Sequence, residues 1–362
     1  MFGIIMSAIE YTYLGIPFTS NGSLKAAVTS LKAKAAKATY KLQSILYNYG
    51  NTCTKLSLKL FDSLIKPILT YACPVWGPAT IKCNSSTVNF SRCDKDPIEK
   101  LCNSFYKHLL GLKKHAPNTV ARAELGRYPT TIYVLKQSAK YWFKLQQTQD
   151  KLSHKALQAN KAIQGKTWSS CMNNLLQDIT ANTDLTKTTP EQIGNTTEAA
   201  LREQYIEHIH SILTQAMTTD SHLSFYGKIV CEDEYGIQPY LLLNLPKHFI
   251  KPITYLRTGC HNLPIAKGRI AKPPVPTNER HCPHCPDEMG DEFHLLFQCK
   301  FLDIALRKDC FEYAKHIQEP YNNTIHETNT PASFIKTLLS PNTYPWATCL
   351  GSFIKKSLSK MA

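Results

Sequence analysis

The chain has 362 residues, of which 43% are hydrophobic, a composition that excludes a disordered protein and suffices for two or three domains with buried cores. Lysine and arginine number 42 against 27 acidic residues, and the net charge of +15 favours a polyanionic partner, with nucleic acid ahead of anionic lipid. The cysteine count of 13 is odd, Met1 to Ile9 lacks a basic leader and the uncharged runs are short, so we exclude a secreted or membrane-spanning protein and expect an intracellular one, in cytoplasm and nucleus.

A long amphipathic helix is predicted near the start of the chain. Tyr11 to Pro17 has the pattern of a short strand ending in a turn, and Asn21-Gly22-Ser23 supplies a second turn with a helix N-cap. Apolar residues then recur at steps of four and three as far as Gly50, which ends the helix. These residues are Leu24, Val28, Leu31, Ala35, Ala38, Leu42, Ile45 and Tyr49. They predict one buried stripe along a helix of about 40 Å.

The other faces of this helix carry lysines, and no acidic residue occurs between Tyr11 and Phe61. The lysines are Lys25, Lys32, Lys34, Lys37 and Lys41. A lysine face is usually only solvated. Here the absence of carboxylates leaves a positive electrostatic potential along the helix, which favours contact with backbone phosphates. We therefore predict that these five lysines bind nucleic acid.

Further helices follow in the first half of the chain. One begins near Thr54, and Pro67 inside its apolar pattern should kink or split it. The next has Asp96 as its N-cap, with Glu99 three residues on as the second half of a capping box. A turn at Glu124–Pro129 starts another helix.

The middle of the chain carries less information. Residues 167–200 are rich in Thr and Asn and predict a linker with one short helix, and residues 201–217 can form an amphipathic helix. Glu232-Asp233-Glu234 is a dense acidic cluster, but it lies in a polar stretch without the apolar strands that a catalytic magnesium site requires. We therefore predict a surface turn there.

A second basic surface is predicted in the last third of the chain, where Glu279 is the sole acidic residue among five basic ones. The basic residues are Arg257, Lys267, Arg269, Lys272 and Arg280. By the same argument as for the lysine helix, they are predicted to bind nucleic acid.

The most specific pattern follows directly. Cys282, Cys285, His294 and Cys299 form the sequence C-x2-C-x8-H-x4-C, and Asp291-Glu292 can occupy the first turn of a helix that carries the histidine. Three thiolates and one imidazole are the ligands that tetrahedral zinc requires, so we predict one structural Zn²⁺ with no position left for a catalytic water. The alternative is a set of unpaired thiols beside a core histidine.

A series of short motifs runs through the chain in a fixed order. It comprises Tyr13-Leu14-Gly15, Leu60-Phe61-Asp62, Lys66 to Tyr71, Trp76-Gly77, Ile98 to Gly111, Glu124 to Pro129, Leu256 to Leu263 and the cysteine-histidine cluster. The series resembles the region downstream of the catalytic palm in non-LTR (LINE-type) retrotransposon reverse transcriptases. The resemblance implies a helical thumb that grips the template-primer duplex, followed by a C-terminal zinc knuckle.

The expected fold class is accordingly mainly α, a helical thumb-like bundle followed by a small helical domain with a CCHC zinc knuckle. The expected domains are the end of a palm-like strand and turn at 1–22, a thumb-like helical domain at 23–150, a helical linker region at 151–235, the zinc-knuckle domain at 236–319 and a weakly structured tail at 320–362.

The chain departs from this family at the catalytic centre. A reverse transcriptase palm needs two adjacent aspartates and a third carboxylate to hold two magnesium ions, and no Asp-Asp pair occurs in the sequence. We therefore expect no enzymatic activity from this chain alone, and we expect the polymerase and endonuclease domains of a parent RNA-directed DNA polymerase to be missing. Two functions remain open: a fragment that binds RNA and/or DNA, or a zinc-stabilised protein-interaction scaffold derived from a degenerate element.

Overall fold

The computed structural model describes residues 9–48, 53–81, 87–148, 151–163, 165, 167–181, 187–230, 235–315 and 332–361. Within these ranges the chain is mainly helical, and its strands form two short antiparallel pairs. The predicted fold class is therefore confirmed as mainly α, with a Cys/His cluster near the C-terminus.

The strands are β1 (Glu10–Tyr13), β2 (Ile16–Thr19), β3 (His281–Cys282) and β4 (Cys285–Met289). The α-helices are α1 (Lys25–Asn48), α2 (Thr54–Leu60), α3 (Lys66–Leu69), α4 (Cys73–Ile81), α5 (Phe90–Cys93), α6 (Pro97–Leu110), α7 (Asn118–Glu124), α8 (Thr130–Gln147), α9 (Leu152–Ala162), α10 (Trp168–Ile179), α11 (Pro190–Met217), α12 (Ser224–Val230), α13 (Lys247–Arg257), α14 (Pro264–Ile270), α15 (Ile304–Lys315), α16 (Ala332–Leu338) and α17 (Tyr344–Lys360). Short 3-10 helices occupy Pro239–Leu242 and Thr277–Glu279, and π-helical turns occupy Phe61–Ile65 and His294–Gln298.

The chain forms two compact units, each assembled from separate stretches. Unit 1 comprises Met1–Ile45, Lys59–Ser104 and Tyr128–His208, and unit 2 comprises Leu46–Leu58, Phe105–Arg127 and Ile209–Ala362. These units interleave along the sequence, whereas the predicted domains follow one another. The compact units do not test the predicted domain boundaries, which stay a prediction.

The first strand pair and α1 follow the sequence pattern closely. Strands β1 and β2 pair from Glu10 and Thr19 to Tyr13 and Ile16, and both residues of the connecting turn have positive φ, which matches the tight turn that antiparallel strands favour. Helix α1 buries Val28, Leu31, Ala35 and Leu42, as the stripe predicts.

At its C-terminal end the stripe of α1 is shifted by one residue. Leu46 is 8% exposed, whereas Ile45, which the stripe places inside, is 43% exposed. The cause is the helical period, because a strict alternation of four and three corresponds to 3.5 residues per turn and drifts off the buried face of a straight helix. Tyr49 and Gly50, the predicted end of the helix, lie outside the described residues.

Pro67 distorts its helix without ending it. Helix α2 passes through the π-helical turn Phe61–Ile65 into α3, which contains Pro67. Proline lacks an amide hydrogen and its ring clashes with the carbonyl four residues earlier, here that of Ser63 inside the π-helical turn. The wider turn accommodates this clash, so the predicted kink takes the form of a π-bulge.

The predicted capping box of α6 is half correct. The Asp96 carboxylate accepts a hydrogen bond from the amide of Ile98 at 2.8 Å, which confirms Asp96 as the N-cap. Glu99 does not complete the box, since its buried carboxylate accepts hydrogen bonds from the amide and the hydroxyl of Thr131 at 2.7 and 2.9 Å. Glu99 thus caps the first turn of α8 instead of its own helix.

The core of unit 1 forms where α4 packs against α8. A Cβ atom at Gly77 of α4 would clash with Cγ1 of Val134, so glycine allows this close approach. Helix α10 packs on both helices, and its Trp168 donates a hydrogen bond to the carbonyl of Pro74 at 2.8 Å.

The core of unit 2 contains a buried ion pair. Arg257 has no exposed surface, and its Nε donates to both carboxylate oxygens of Glu124, at 3.1 and 3.2 Å. Its other nitrogens donate to Gln238 at 2.7 Å, to the carbonyl of Leu339 at 3.0 Å and to the hydroxyl of Ser340 at 2.9 Å. The prediction that Arg257 contacts nucleic acid is therefore wrong, because no part of its guanidinium reaches the surface.

The surroundings of this pair keep both charges in place. The hydroxyl of Tyr240 donates to Glu124 at 2.5 Å and lies 3.0 Å from the hydroxyl of Thr254. Burial opposes the charge on Arg257, but Glu124 outweighs burial and raises the pKa of Arg257 above its usual value. Burial, followed by the charge of Glu124, raises the pKa of Tyr240 well above normal, so this phenol stays protonated as a donor.

Replacing Arg257 with methionine should destabilise unit 2 strongly, because it leaves the Glu124 carboxylate buried without its cation. We expect a loss of about 3–5 kcal/mol in the free energy of unfolding, measured by urea titration. The control Lys272→Met removes an exposed side chain from the same unit and should change stability by less than about 0.5 kcal/mol. Equal midpoints for the two variants would show that the pair contributes nothing.

Candidate metal centre and nucleic-acid surface

The four predicted metal ligands converge on one point in unit 2. The sulfur atoms of Cys282, Cys285 and Cys299 and a ring nitrogen of His294 all lie within 4.8 Å of one another. Cys282 and Cys285 face each other where β3 turns into β4, and the Sγ atoms of Cys282 and Cys299 are 4.0 Å apart. This arrangement could hold one metal ion.

The other two ligands are positioned by the π-helical turn His294–Gln298. The carboxylate of Asp291 accepts a hydrogen bond from the amide of His294 at 2.7 Å, so Asp291 caps the turn, whereas the sequence predicted it within the first helical turn. The amide of Cys299 donates to the carbonyl of His294 at 2.9 Å, which closes the turn. The backbone therefore presents both side chains on the side of the hairpin cysteines.

Glu292, predicted beside Asp291 at the start of the helix, has a different role. Its carboxylate lies 2.8 Å from Nε2 of His261, whose Nδ1 accepts a hydrogen bond from the amide of Leu263 at 3.3 Å. The second contact leaves Nε2 as the donor toward Glu292. Burial raises the pKa of Glu292, but its interaction with His261 outweighs burial and lowers the pKa overall.

The chemistry of the cluster fits a metal ion. Neither ring nitrogen of His294 has a hydrogen-bond partner among the described residues, although both are buried, and such atoms are rare unless a ligand completes them. Burial lowers the pKa of His294, which favours the neutral imidazole that binds cations. Burial also raises the pKa of the Cys299 thiol to about 11, so a thiolate here needs a cation beside it.

Arg307 braces the ligand turn and was not predicted. It is buried on α15 and donates hydrogen bonds to the carbonyls of Cys299 at 2.7 Å, Phe297 at 3.2 Å and Leu295 at 3.4 Å. These carbonyls belong to the end of the π-helical turn, where intrahelical partners run out. The one signal in the sequence is a basic residue within the otherwise apolar start of the helix that follows the last ligand.

The two histidines beside the cluster are not ligands. His281 is exposed, and His284 stacks on Phe301 with ring centroids 4.9 Å apart. Nε2 of His284 also lies 2.9 Å from the carbonyl of Lys360 in α17. His284 therefore joins the metal-binding hairpin to the last helix.

Most of the second predicted basic surface is neutralised within unit 2. Arg280 is buried, with its guanidinium 2.8 Å from the Asp220 carboxylate and its Nε donating to the carbonyl of Val275 at 2.9 Å. Arg269 pairs with the same carboxylate at 2.9 Å, and the hydrogen bond from Arg280 lowers the pKa of Asp220. The prediction is thus wrong for Arg280 and weakened for Arg269.

Lys267 and Lys272 are the two members of this surface with exposed side chains. They stay candidates for phosphate contact, whereas Arg257, Arg269 and Arg280 balance carboxylates inside unit 2.

The lysines of α1 lie as predicted on the solvent side of the helix. Lys25, Lys34, Lys37 and Lys41 are exposed and Lys32 is half-buried. Nζ of Lys34 donates to the carbonyl of Gly15 at 3.1 Å. None of these lysines forms an ion pair among the described residues, although Lys32 acts electrostatically on the Asp96 carboxylate.

The sequence pattern did not predict two further features of α1 and its surroundings. Tyr40 and Tyr47 of α1 are 76% and 77% exposed, so the helix presents one aromatic ring between its lysines and a second beyond Lys41. A cavity of about 550 Å³ at the start of α1 is lined by Lys25, Arg92 and Lys95. Its one lining carboxylate, Asp96, is engaged in capping α6. The basic surface of unit 1 therefore extends beyond α1.

Comparison of the chain with protein-family models, with curated proteins and with solved structures finds no match. Among the described residues, no helix has the length and apolar character needed to cross a bilayer. The predicted acidic turn Glu232-Asp233-Glu234 lies outside the described residues.

Replacing Cys285 with serine should abolish stoichiometric metal binding, since a hydroxyl is a poor substitute for a thiolate ligand. We expect the metal content of the purified protein, measured by inductively coupled plasma mass spectrometry, to fall from about one ion per chain to near zero. The matched control is Cys260→Ser, which removes a half-buried thiol of unit 2 that lies outside the cluster. Equal metal content in both variants would contradict a metal site at this cluster.

Replacing Arg307 with methionine should weaken metal binding without removing a ligand, because three carbonyls of the ligand turn lose their donor. By analogy with other residues that orient metal ligands, we expect affinity to fall about 10-fold or more. Competition with a chromogenic chelator measures this. The control Lys308→Met changes the neighbouring exposed position and should leave affinity unchanged; an equal effect in both variants would refute the bracing role.

Proposed function

We propose that this chain is a nucleic-acid-binding fragment of a non-LTR (LINE-type) retrotransposon reverse transcriptase, and that α1 contacts the phosphate backbone of a template-primer duplex. The observation that carries this proposal is the lysine face of α1, which forms no ion pair among the described residues and lies in a stretch without acidic residues from Tyr11 to Phe61. The ordered series of motifs that resembles a thumb and a knuckle supports the parentage.

The geometry of α1 suits an extended polyanion. Lys25 and Lys41 are sixteen positions apart, which corresponds to about 24 Å along a helix. Each lysine that neutralises a phosphate releases a condensed counterion, so affinity falls with salt in proportion to the number of contacts. Tyr40 and Tyr47 add exposed rings on which unpaired bases can stack.

The proposal gives the metal centre a supporting role. The cluster Cys282, Cys285, His294 and Cys299 holds one structural Zn²⁺, since three thiolates with one imidazole form a closed tetrahedral site. RNA or a single strand then contacts the knuckle through Lys267 and Lys272. The chain acts without an active site of its own, inside the cell in cytoplasm and nucleus, and the polymerase and endonuclease domains belong to the parent protein.

A second candidate function is a zinc-stabilised protein-interaction scaffold derived from a degenerate element. It is favoured by the internal pairing of Arg257, Arg269 and Arg280, three of the five residues predicted as the second basic surface. In a scaffold the lysines of α1 would only keep the protein in solution.

A filter-binding titration with a primed RNA template separates the two functions. We expect the wild-type chain to bind at low salt and to lose affinity steeply as salt rises. The double variant Lys37→Ala/Lys41→Ala should bind more weakly and reduce the slope of log affinity against log salt by about 1.4 to 1.8, because two phosphate contacts are lost.

The matched control is Lys308→Ala/Lys355→Ala, which removes the same charge from exposed positions of unit 2. It should bind as the wild type does. Absence of binding by the wild type at low salt would favour the scaffold. An equal loss of affinity in both double variants would show that binding depends on net charge and not on the lysines of α1.

A further inference from the structure

Two cysteines outside the metal cluster face each other in unit 2. Cys310 lies on α15 and Cys349 on α17, two helices that pack together, and their Sγ atoms are 3.1 Å apart. Both are free thiols. Cys310 is 1% exposed, whereas Cys349 is half-buried and reachable by a small molecule. The two helices therefore already hold the sulfurs in contact.

The pair is chemically asymmetric. The hydrogen bond between the thiols lowers the pKa of Cys349 and, together with burial, raises that of Cys310. The more accessible sulfur is thus also the one that ionises more readily, and thiolates are the nucleophiles in disulfide exchange. Cys349 is placed to react first and Cys310 to resolve the product.

Both helices of the pair also support the metal centre. Three positions before Cys310, Arg307 donates to the carbonyl of the ligand Cys299 at 2.7 Å. From α17, the ring of Phe353 lies 5.8 Å from the Arg307 guanidinium, and the carbonyl of Lys360 holds His284 between the hairpin ligands. A covalent bond between the two helices would restrict the motion of both supports.

We propose that Cys310 and Cys349 form a reversible disulfide that ties α15 to α17 and slows the release of metal from the neighbouring cluster. The Cys349 thiolate attacks one sulfur of a small disulfide such as oxidised glutathione and displaces one thiolate. Cys310 then loses its proton and attacks the Cys349 sulfur, displacing the second thiolate. The protein loses two electrons and two protons, and the small disulfide is reduced to two thiols.

The test uses the full-length, metal-loaded chain incubated with oxidised glutathione. We expect the intact mass to fall by two hydrogens and proteolysis without reductant to yield one linked peptide containing Cys310 and Cys349. Transfer of metal to a chelator should become several-fold slower, and dithiothreitol should restore the original rate. Cys349→Ser should abolish the linked peptide and the slower transfer, whereas Cys260→Ser should retain both.

Three results would overturn the proposal. The first is that the linked peptide does not form, and the second is that the oxidant links Cys282, Cys285 or Cys299 instead. The third is that the peptide forms without any change in the rate of metal transfer. Circular dichroism of each variant shows that its fold is retained, and Cys310→Ser provides a second variant that removes the same bond.

Discussion

Pairing of buried charge is the constraint on which unit 2 depends. A buried guanidinium or carboxylate without a partner costs several kcal/mol, so each one fixes the position of the segment that carries its partner. Glu124 places α7 against Arg257 of α13, and Asp220 places the connection between α11 and α12 against Arg280 and Arg269. These contacts join stretches far apart in the sequence and set the frame in which the metal ligands converge.

Features governed by short-range spacing were predictable from the sequence. The stripe of α1, the N-cap Asp96 and the four metal ligands each depend on residues within a few turns of one another, where helical period and turn geometry determine what can meet. Even there a small difference in period matters, since the shift of the stripe from Ile45 to Leu46 follows from 3.6 rather than 3.5 residues per turn.

Features governed by long-range pairing were not predictable. Arg257 and Glu124 are 133 positions apart, and Glu99 meets Thr131 across 32 positions. No periodicity or spacing rule connects such residues. A basic residue that becomes buried in the core therefore has the same local sequence pattern as one that stays on the surface. Arg307 escaped notice for the same reason, because its three carbonyl partners become visible only once the ligand turn has folded.

The internal pairing changes what the net charge of +15 means. In unit 2 the arginines that suggested a phosphate-binding surface are paired with Glu124 and Asp220, so their charge is balanced within the unit and does not attract a polyanion. In unit 1 the lysines of α1 form no ion pair among the described residues, and four of the five are exposed to solvent. The charge argument for nucleic acid is therefore an argument about α1.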